Sequence, residues 1–519
     1  MESRQIIRAF SKERIQVRPD AAAFLLSKLE FVNSQCPKLE QVVQQVYKLL
    51  SASSLSIADK TVVEEALFLL ETGDRSSQTP ASDIGFSFSI VLGDYFKAPK
   101  RSFDYSAGHL SVSSEPGSGE LVPPGATFFA NKLKFLRWIL DDSRSPTRHI
   151  TEIGSMRGCE SNFTIFGILF SKKGEIYIQD HFNEAKINLE KCLPTIGYAC
   201  LGSIVLATGS FIHNIFHVEQ LEMIQSYIDP EGDKLAPFRE HYKAQFAKFL
   251  DRKDESKEVK EFLGPNIFQI ASTTNPAILV LSNFLFKHEN LEDLKKIFYL
   301  SYLSPPSAIV LLGPFSELMN LSSQKKIDAF QNKVDSFSGL VSKFLMVHQE
   351  TKIILVPAPD DTGFNSFPRP KHPSFYFANL LEKYPYNFVL AENPLTFTFC
   401  DKLITFSRMN WTFSVVRNVL APFDQNISHA HHSMTTLFGQ RDLILFKPND
   451  FEVFEAQREA CLLYNIPDIM VDCDDSLEAN VISPGPHAPL FCTPGNFSSR
   501  KTYLVINPKT KSAEIKSLN

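Results

Sequence analysis

Three short apolar runs in the second half of the chain set its predicted architecture. They span residues 277–281, 308–312 and 352–356 and consist mainly of Ile, Val and Leu. Between the last two, residues 322–348 carry apolar side chains at helical spacing. Continuous apolar runs divided by helices are typical of strands that are buried on both faces of a mainly parallel sheet. Because such a sheet works at the carboxyl ends of its strands, we expect any catalytic residues in the loops after these runs.

The first 74 residues show helical periodicity. Apolar positions recur at helical spacing over residues 21–32, 39–50 and 56–70. Ser56 is a candidate N-cap for the third helix, with Asp59 three residues further on. Helices joined by short connections predict a small bundle, which we assign as domain 1–74.

Residues 75–148 are interpreted as a linker that ends in a helix. Residues 104–126 are rich in Ser, Gly and Pro. A segment of that composition buries too little apolar surface to order itself, so we predict a flexible, partly disordered connector. Residues 131–140 then show helical spacing, which predicts a helix that leads into the next domain.

Residues 149–225 are predicted to form a small β-barrel. The first two strands flank a hairpin turn that ends at Gly174, and Gly209 is placed near the last turn. Five strands with a longer third connection fit the Greek-key barrel of an OB-fold. The predicted strands span residues 163–170, 175–179, 186–189, 199–208 and 215–219.

Aromatic residues on these strands bear on nucleic-acid binding. OB-folds bind single strands through exposed aromatic side chains beside a basic groove. These strands offer few basic residues beyond Lys172 and Lys173. We therefore assign most of the aromatic side chains to the barrel interior, and we expect the domain to bind a protein rather than DNA. They are Phe163, Phe166, Phe170 and Tyr177.

Residues 226–519 alternate predicted strands and helices and then become mostly β. A helix is expected at residues 237–250, and Asn290 is a candidate cap for another. This order fits a two-sheet sandwich, so the predicted fold class is multi-domain α+β, with a helical domain, a barrel and a sandwich. The other predicted elements are a helix at 374–383, strands at 387–390, 403–406, 443–446, 468–471 and 490–492, and a hairpin of 502–506 with 513–515.

Composition narrows the class of protein. The formal net charge of −5 gives no overall basic field of the kind that indicates nucleic-acid binding. The eight cysteines form no Cys-x-x-Cys pair, so we expect reduced thiols rather than a zinc ribbon or a redox motif. The first residues lack the apolar core of a signal peptide, and no apolar stretch is long enough to span a bilayer. We therefore expect a soluble intracellular protein.

Three clusters of polar residues could support an enzyme, and each has a simpler interpretation. The histidine cluster is interpreted as a surface loop, because no carboxylates accompany it at the other strand ends. The aspartate triplet is interpreted as a solvated loop, and the third set includes acids on a loop that two prolines hold. No P-loop, nucleophile elbow or His-Glu-x-x-His pattern occurs, so we assign no catalytic, metal-binding or cofactor-binding residue. The clusters are His429, His431 and His432; Asp472, Asp474 and Asp475; and Asp360 and Asp361 with Glu317.

The strand-end loops resemble those of the calcineurin-type metallophosphoesterases, with the metal ligands replaced. Members of that family hold two metal ions on these loops through carboxylate and imidazole ligands. Here Asn283 has no His two residues on, and Pro314 stands where a bridging aspartate is expected. Residues 356–359 (VPAP), 439–441 (GQR) and 493–496 (TPGN) stand where further ligands would fall. The resemblance implies a phosphoesterase scaffold without its metal site.

That combination is similar to the B subunits of the replicative DNA polymerases, and most of all to the epsilon type. Each motif alone is weak, but their order and spacing are specific. The helical N-terminus also matches, because B subunits of the epsilon type begin with a helical domain that resembles the small lid of AAA+ ATPases. The motifs are residues 311–316 (LLGPFS), 355–363 (LVPAPDDTG), Asn393-Pro394 followed by Cys400, 466–471 (IPDIMV) and 492–497 (CTPGNF).

The resemblance implies a non-catalytic accessory subunit that acts in the nucleus in DNA replication. The implied partners are the zinc-binding C-terminal region of the catalytic subunit of DNA polymerase epsilon, the GINS complex of the CMG helicase through domain 1–74, and the small histone-fold subunits. DNA contact would be indirect at most, and neither a cofactor nor a membrane is implied. Two alternatives stay open: a homologous B-type subunit of polymerase alpha or delta, and a degenerate Mn²⁺-dependent phosphodiesterase or nuclease.

Overall fold

The computed structural model forms two compact units, Met1–Gly85 and Phe86–Asn519. The predicted helix at 237–250 lies outside the described residues, and the domain boundaries drawn from the sequence remain predictions. The structure describes residues 10, 16–18, 46 and 57–58 of the first unit, and 88–92, 101–104, 109–112, 124–142, 149–156, 162–224, 267–270, 276–317, 323–361, 366–400, 402–444, 452–453, 461–463, 466–485 and 488–518 of the second.

In the first unit, Phe10 and Val46 are helical and buried. Two short strands, β1 (Gln16–Val17) and β2 (Ile57–Ala58), pair in parallel. Strand β2 lies where the sequence predicted the start of a helix after Ser56, and that prediction is wrong for residues 57–58. Their backbone groups pair with another segment instead of forming a first helical turn. The rest of the three predicted helices, Phe10 and Val46 apart, lies outside the described residues.

The second unit is mixed α/β, which agrees with the predicted α+β class in general terms. Its helices are α1 (Pro124–Asp142), α2 (His288–Leu300), α3 (Gln324–Val347), α4 (Ala378–Lys383), α5 (Thr412–Arg417), α6 (His429–Gln440) and α7 (Phe497–Arg500). Its strands are β3 (Phe88–Leu92), β4 (Arg101–Asp104), β5 (His109–Val112), β6 (Asn162–Lys172), β7 (Glu175–Gln179), β8 (Glu184–Asn188), β9 (Ile204–Ile212), β10 (Ile215–Glu222), β11 (Ile267–Ile270), β12 (Ile278–Leu281), β13 (Ala308–Leu312), β14 (Lys352–Val356), β15 (Ser366–Phe367), β16 (Phe388–Leu390), β17 (Leu395–Phe399), β18 (Lys402–Ser407), β19 (Glu452–Val453), β20 (Ile469–Asp472), β21 (Asn480–Ile482), β22 (Leu490–Thr493), β23 (Thr502–Asn507) and β24 (Ser512–Ser517).

Strands β6 to β10 close a five-stranded barrel in the order β10-β8-β7-β6-β9. The five predicted strands are confirmed, with shifts of a few residues at their ends. The last turn lies at His213 and Asn214, which both have positive φ, rather than at Gly209. Gly209 lies inside β9, where a Cβ would clash with the His217 carbonyl oxygen. The close crossing of β9 and β10 therefore explains this glycine better than a turn does.

The prediction that most aromatic side chains of the barrel strands point into its interior is wrong. Successive residues of a strand point to opposite faces, and Ile165 and Leu169 belong to the buried cluster inside the barrel. Phe166 and Phe170 have the other parity, and Phe166 packs with residues of α1 instead. Phe170 lies beside Tyr177 of the neighbouring strand, with 5.6 Å between ring centroids. Phe163, by contrast, packs against the interior cluster as predicted.

The three apolar runs form the centre of a six-stranded sheet, in the order β16-β14-β13-β12-β23-β24. Strands β12, β13, β14 and β16 are parallel, and the antiparallel hairpin β23–β24 extends the sheet beside β12. Every residue of β12, β13 and β14 is buried. The predicted parallel core and the C-terminal hairpin are both confirmed.

A second sheet has seven strands in the order β11-β3-β17-β18-β20-β22-β21. Its strands β18, β20 and β22 run parallel to one another. Strand β3 comes from the segment that the sequence assigned to a linker, and it pairs with both β11 and β17. Part of that segment therefore belongs to the sheet.

The two sheets pack face to face with helices outside. One buried cluster joins apolar residues of both sheets, such as Val310 and Phe406. The other face of the six-stranded sheet is covered by α2, α3 and α4, and the other face of the seven-stranded sheet by α6 with the barrel residue Tyr198. The order of layers is helix, sheet, sheet, helix.

Several predicted boundaries change. Within the predicted helical region, Gln324–Val347 form one continuous helix, α3, and α1 begins at Pro124 rather than at residue 131. Asn290 lies inside α2 rather than at its cap, and its Nδ2 donates to the Leu285 carbonyl oxygen at 3.0 Å. Residues 443–444 do not form the predicted strand. Within the described residues, no helix combines the length and apolar character needed to cross a bilayer.

The predicted flexible connector contains ordered elements at its ends. Strand β4 pairs with β5 as an antiparallel hairpin, and α1 starts at Pro124. The remaining residues between 104 and 124 lie outside the described ranges. The cysteines whose structure is described are reduced thiols, and all but Cys400 are buried.

Buried polar contacts join the barrel to the sandwich. Lys132 of α1 and Asp442 form an ion pair of 2.9 Å with almost no exposure to solvent. Gln440 at the end of α6 accepts from the Ile204 backbone N–H and donates to the Ile204 carbonyl oxygen, both at 2.8 Å. Because these groups satisfy one another away from water, the barrel and the sandwich are held in a defined arrangement.

Candidate active site at the carboxyl ends of the strands

The carboxyl ends of both sheets meet around one buried side chain, Arg408. It follows β18 directly and is 1% exposed. Its Nε–H donates to the Gly313 carbonyl oxygen at 2.6 Å, and Gly313 follows β13 of the other sheet. Its Nη1 donates to the Cys473 carbonyl oxygen at 2.9 Å and to Asn410 Oδ1 at 2.7 Å. One guanidinium group thus links loops of the two sheets.

The charge of Arg408 is balanced by carboxylates. Its Nη2 donates to Asp475 Oδ2 at 2.8 Å. Burial alone would lower the pKa of Arg408, but the charges of Asp475 and Asp360 outweigh that effect, and the pKa is raised. Burial raises the pKa of Asp360, and the arginine opposes this rise. The guanidinium is therefore a buried cation at the carboxyl ends of the strands.

Asn393 fixes the backbone of Arg408. The Arg408 N–H donates to Asn393 Oδ1 at 3.0 Å, and Asn393 Nδ2 donates to the Arg408 carbonyl oxygen at 2.6 Å. Asn393 is fully buried, and its backbone exchanges two hydrogen bonds with Arg369. The Asn-Pro motif noted in the sequence thus positions the arginine through its amide side chain.

The Asp361 side chain is buried and forms polar contacts within the protein. Its Oδ2 accepts from the Phe315 backbone N–H at 3.0 Å and lies 3.2 Å from His372 Nε2. The same oxygen would lie 2.5 Å from a Cβ at position 313, so Gly313 gives room for it. Asp361 therefore holds the loop after β13 against the loop after β14.

Glu317 does not join Asp360 and Asp361. It is exposed and pairs with Lys287 at 2.5 Å. Lys287 lowers the pKa of Glu317 through this hydrogen bond. The third candidate cluster is therefore not assembled in the fold.

Of the aspartate triplet, Asp472 and Asp474 are buried and Asp475 is half-buried, so the interpretation as a solvated loop is wrong. Asp474 Oδ2 accepts from the backbone N–H groups of Trp411 and Thr412 at 2.8 and 2.7 Å, and so caps α5 from another loop. Asp472 is fully buried, and its Oδ2 has no hydrogen-bond partner among the described residues. Burial raises the pKa of Asp472 well above its usual value, and Asp474 adds to the rise. Sequence alone could not show that the loop folds inward.

The histidine cluster lies in the first turn of α6, not on a loop. Ser428 caps this helix by accepting from the His431 N–H at 3.3 Å. His432 is fully buried; its Nδ1 accepts from the Gly197 N–H and its Nε2 lies against the Asp424 carbonyl oxygen, both at 2.9 Å. Burial lowers the pKa of His432, which keeps the ring neutral. It holds the barrel segment against the helix.

The motifs at residues 439–441 and 493–496 form packing contacts and a helix cap. Gly439 and Gln440 lie where α6 meets the barrel, and a Cβ at Gly439 would lie 2.9 Å from the Met223 Cβ. Asn496 caps α7 by accepting from the Ser499 N–H at 3.1 Å. Asn283 has a positive φ, and its carbonyl oxygen accepts from the Ser498 hydroxyl.

The donor set does not fit a two-metal centre. No group of three or more His, Cys, Asp or Glu side chains within the described part of the chain is arranged to hold a metal ion. Two-metal hydrolases need several such ligands around ions about 3.5–4 Å apart. Here Asp474 caps backbone N–H groups, Asp475 pairs with Arg408, and Asp361 contacts His372.

Sequence reasoning missed Arg408, Arg369 and His372. Arg408 comes directly after the predicted strand 403–406, so the rule that located the other loops could have selected it. Its partners could not be read from the sequence, because Gly313 lies 95 positions away. Nothing in the local pattern marks His372 as the partner of Asp361.

The sequence model of the family of B subunits of DNA polymerases alpha and epsilon matches residues 278–480. This range begins at β12 and includes Gly313, Asp361, Asn393, Arg408 and Asp475. Over these residues the chain is similar to this B-subunit family.

Relatives in this family are named as subunits of the epsilon polymerase. "DNA polymerase epsilon subunit 2" of Drosophila melanogaster is 26% identical over 67% of this chain, a match that spans 64% of the relative's length. The human protein of the same name is 23% identical over 90% of this chain and 89% of its own length. The bovine protein of that name (Bos taurus) is also 23% identical, again over 90% of this chain and 89% of its own length.

Proposed function

We propose that this chain is a non-catalytic accessory subunit of DNA polymerase epsilon, acting in the nucleus in chromosomal DNA replication. The names of the relatives support the assignment to that polymerase. The observation that supports a non-catalytic role is the buried Arg408, whose guanidinium lies between the strand ends of the two sheets. The carboxylates near it are engaged in ion pairs and caps.

We further propose that the barrel is an OB-fold and that the two-sheet body is a calcineurin-like phosphoesterase fold that has lost its metal ligands. The closed five-stranded barrel supports the first assignment. The helix, sheet, sheet, helix layering and the parallel strands β12, β13 and β14 support the second.

In the proposed assembly, the body of this chain binds the zinc-binding C-terminal region of the catalytic subunit. A patch of exposed apolar side chains at the ends of α2 and α3 supports a role in protein binding. Exposed apolar patches on soluble proteins commonly mark such surfaces. We call this the helix-end patch; its residues are Tyr299, Leu300, Tyr302, Leu303, Met346 and Val347.

Domain 1–74 is proposed to dock the polymerase onto the GINS complex of the CMG helicase, as the resemblance of the helical N-terminus suggests. The small histone-fold subunits would be further neighbours in the assembly. The net charge of −5 supports DNA contact that is indirect at most.

Co-expression with the C-terminal region of the catalytic subunit tests the proposal. We expect a one-to-one complex by size-exclusion chromatography with light scattering. Stripping zinc from the partner should weaken the complex, whereas treating this chain alone with a chelator before mixing should not. A chain that stays monomeric beside that partner would contradict the proposal. The same experiment with catalytic subunits of the alpha and delta polymerases decides between the sibling complexes.

The helix-end patch can be tested in the same complex. The double variant Leu300→Ser with Leu303→Ser removes two exposed apolar side chains and should raise the dissociation constant tenfold or more if the partner covers the patch. Phe182→Ser is the matched control, because Phe182 is also exposed but lies on a barrel loop. If the double variant and Phe182→Ser bind the partner with equal affinity, the interface does not include the helix-end patch. The proposed polymerase assignment would not be affected.

The degenerate nuclease alternative predicts hydrolysis of a generic phosphodiester with excess Mn²⁺. We expect no turnover above that of a His431→Ala variant. Turnover by the wild-type protein that is lost in His431→Ala would favour the nuclease alternative. His431 suits this test because it lies near the surface in the first turn of α6.

A further inference from the structure

The strand-end loops of the two sheets converge on a centre that is rich in oxygen acceptors. Four oxygen atoms lie within hydrogen-bond distance of the Arg408 guanidinium: the carbonyl oxygens of Gly313 and Cys473, Asn410 Oδ1 and Asp475 Oδ2. Carbonyl, amide and carboxylate oxygens are also the groups that surround bound hard cations in proteins. The centre therefore has the chemistry of a cation site.

The carboxylates around this centre make a cation necessary. The charges of Asp475, Asp360 and Asp474 all act on Arg408. Buried charge without a partner is strongly unfavourable, so a cation must accompany these acids if they remain ionised. The guanidinium of Arg408 is a cation at this place, and it is hydrogen-bonded to loops of both sheets.

We propose that Arg408 is the built-in cation of this fold. It neutralises the acids and ties the two sheets together at the edge where the phosphoesterases that the chain resembles hold metal ions. This inference concerns the body of the chain itself and does not depend on which polymerase it joins. The buried acids at this edge still need a positive charge beside them, and the Arg408 side chain supplies it in place of a metal ion.

The geometry explains why a guanidinium is needed. Its donors are spread over a planar fork, so Nε reaches Gly313 of one sheet while Nη1 and Nη2 reach Cys473 and Asp475 of the other. A lysine ammonium is a single compact point charge and cannot span both loops with the same contacts. Arginine is therefore required for shape as well as for charge.

The test is chemical rescue in the full-length protein. Arg408→Ala should lower the thermal midpoint by about 5 °C, because it leaves buried acceptors and acids without their cation. Millimolar guanidinium chloride should restore part of that loss in Arg408→Ala, since the free ion can enter the vacated centre. Sodium chloride at equal ionic strength should not restore it. Arg417→Ala, which removes an exposed arginine that stacks on Phe413, should change neither midpoint nor response.

Arg408→Lys separates charge from shape. We expect a midpoint between those of wild type and Arg408→Ala. If Arg408→Ala does not accumulate as folded protein, recovery on refolding with guanidinium chloride, compared with sodium chloride, replaces the melting measurement. Rescue equal in the two salts, or a lysine variant as stable as wild type, would overturn the proposal.

Discussion

The two edges of the six-stranded sheet differ in how their polar and apolar groups are satisfied. At the carboxyl edge, charged side chains are buried and paired: Asp361, in the loop after β14, contacts His372, and Arg408 of the other sheet donates to the Gly313 carbonyl oxygen after β13. At the amino edge, where α2 and α3 end, apolar side chains such as Leu303, 95% exposed, face solvent. The carboxyl edge, where parallel sheets carry their active sites, is filled by buried, paired side chains. The amino edge exposes apolar side chains to solvent.

The two edges of the sheet are stabilised in different ways. Buried polar groups are stabilised by hydrogen-bond partners, and at the carboxyl edge loops of both sheets provide partners for groups such as the Arg408 guanidinium. At the amino edge, contacts between aromatic rings hold the ends of α2 and α3 together. The ring centroids of Phe298 and Phe344 are 4.1 Å apart, and those of Tyr302 and His348 are 5.1 Å apart. Substitutions at the two edges should therefore have opposite consequences for folding and for association.

The largest effect is expected at Asn393. Asn393→Ala removes both side-chain hydrogen bonds to the Arg408 backbone and leaves buried groups unpaired. The free energy of unfolding should fall by about 2–4 kcal/mol, measured by urea denaturation. Asn418→Ala is the control, because its exposed amide bonds only the Ser414 carbonyl oxygen. Equal stability of the two variants would show that the carboxyl edge is not tightly held.

Gly313→Ala should have the next largest effect. The added Cβ would lie 2.5 Å from Asp361 Oδ2 and 2.9 Å from the Ala358 nitrogen, so the loops must move apart. We expect a loss of about 1–3 kcal/mol. Gly339→Ala, on the exposed side of α3 with no atom near the new Cβ, should instead stabilise the protein by about 0.5–1 kcal/mol. A loss at both positions would argue against the close contact.

Asp472 makes the stability of the carboxyl edge depend on pH. Because burial raises its pKa in the folded state, the folded protein holds this proton more tightly than the unfolded chain does. The associated stability is present below the ordinary aspartate pKa and is lost as pH rises toward the folded value. The thermal midpoint of Asp472→Asn relative to that of wild type should therefore rise as pH increases above the ordinary aspartate pKa. The exposed Asp335→Asn should show no such trend, and parallel curves for Asp472→Asn and wild type would contradict the pKa shift.

The smallest effect is expected at the amino edge. Leu300→Ser with Leu303→Ser should change the free energy of unfolding by no more than about 0.5 kcal/mol, because both side chains are already exposed. Leu294→Ser, one to two turns earlier in α2, removes a fully buried side chain and should cost several times more. A large loss in the double variant would mean that the patch belongs to the core.

Much of the fold could be predicted from the sequence, because apolar periodicity reports burial along each element. The runs at 308–312 and 352–356 became the buried parallel strands β13 and β14, and the barrel strands were found with small errors. Side-chain direction was harder: Phe166 points away from the barrel interior because α1 covers that face. The aspartates after β20 were mistaken for a solvated loop, since polarity alone does not tell whether a loop folds inward.

The sequence by itself determined the parallel core, and it shows that Pro314 and residues 356–359 offer no side chain that binds a metal. Only the tertiary structure decided what closes the site. Arg408 meets Gly313, Cys473 and Asp475 because the two sheets pack face to face with their strand ends together. Periodicity is a property of one segment, whereas the partners of a buried charge depend on which strands become neighbours.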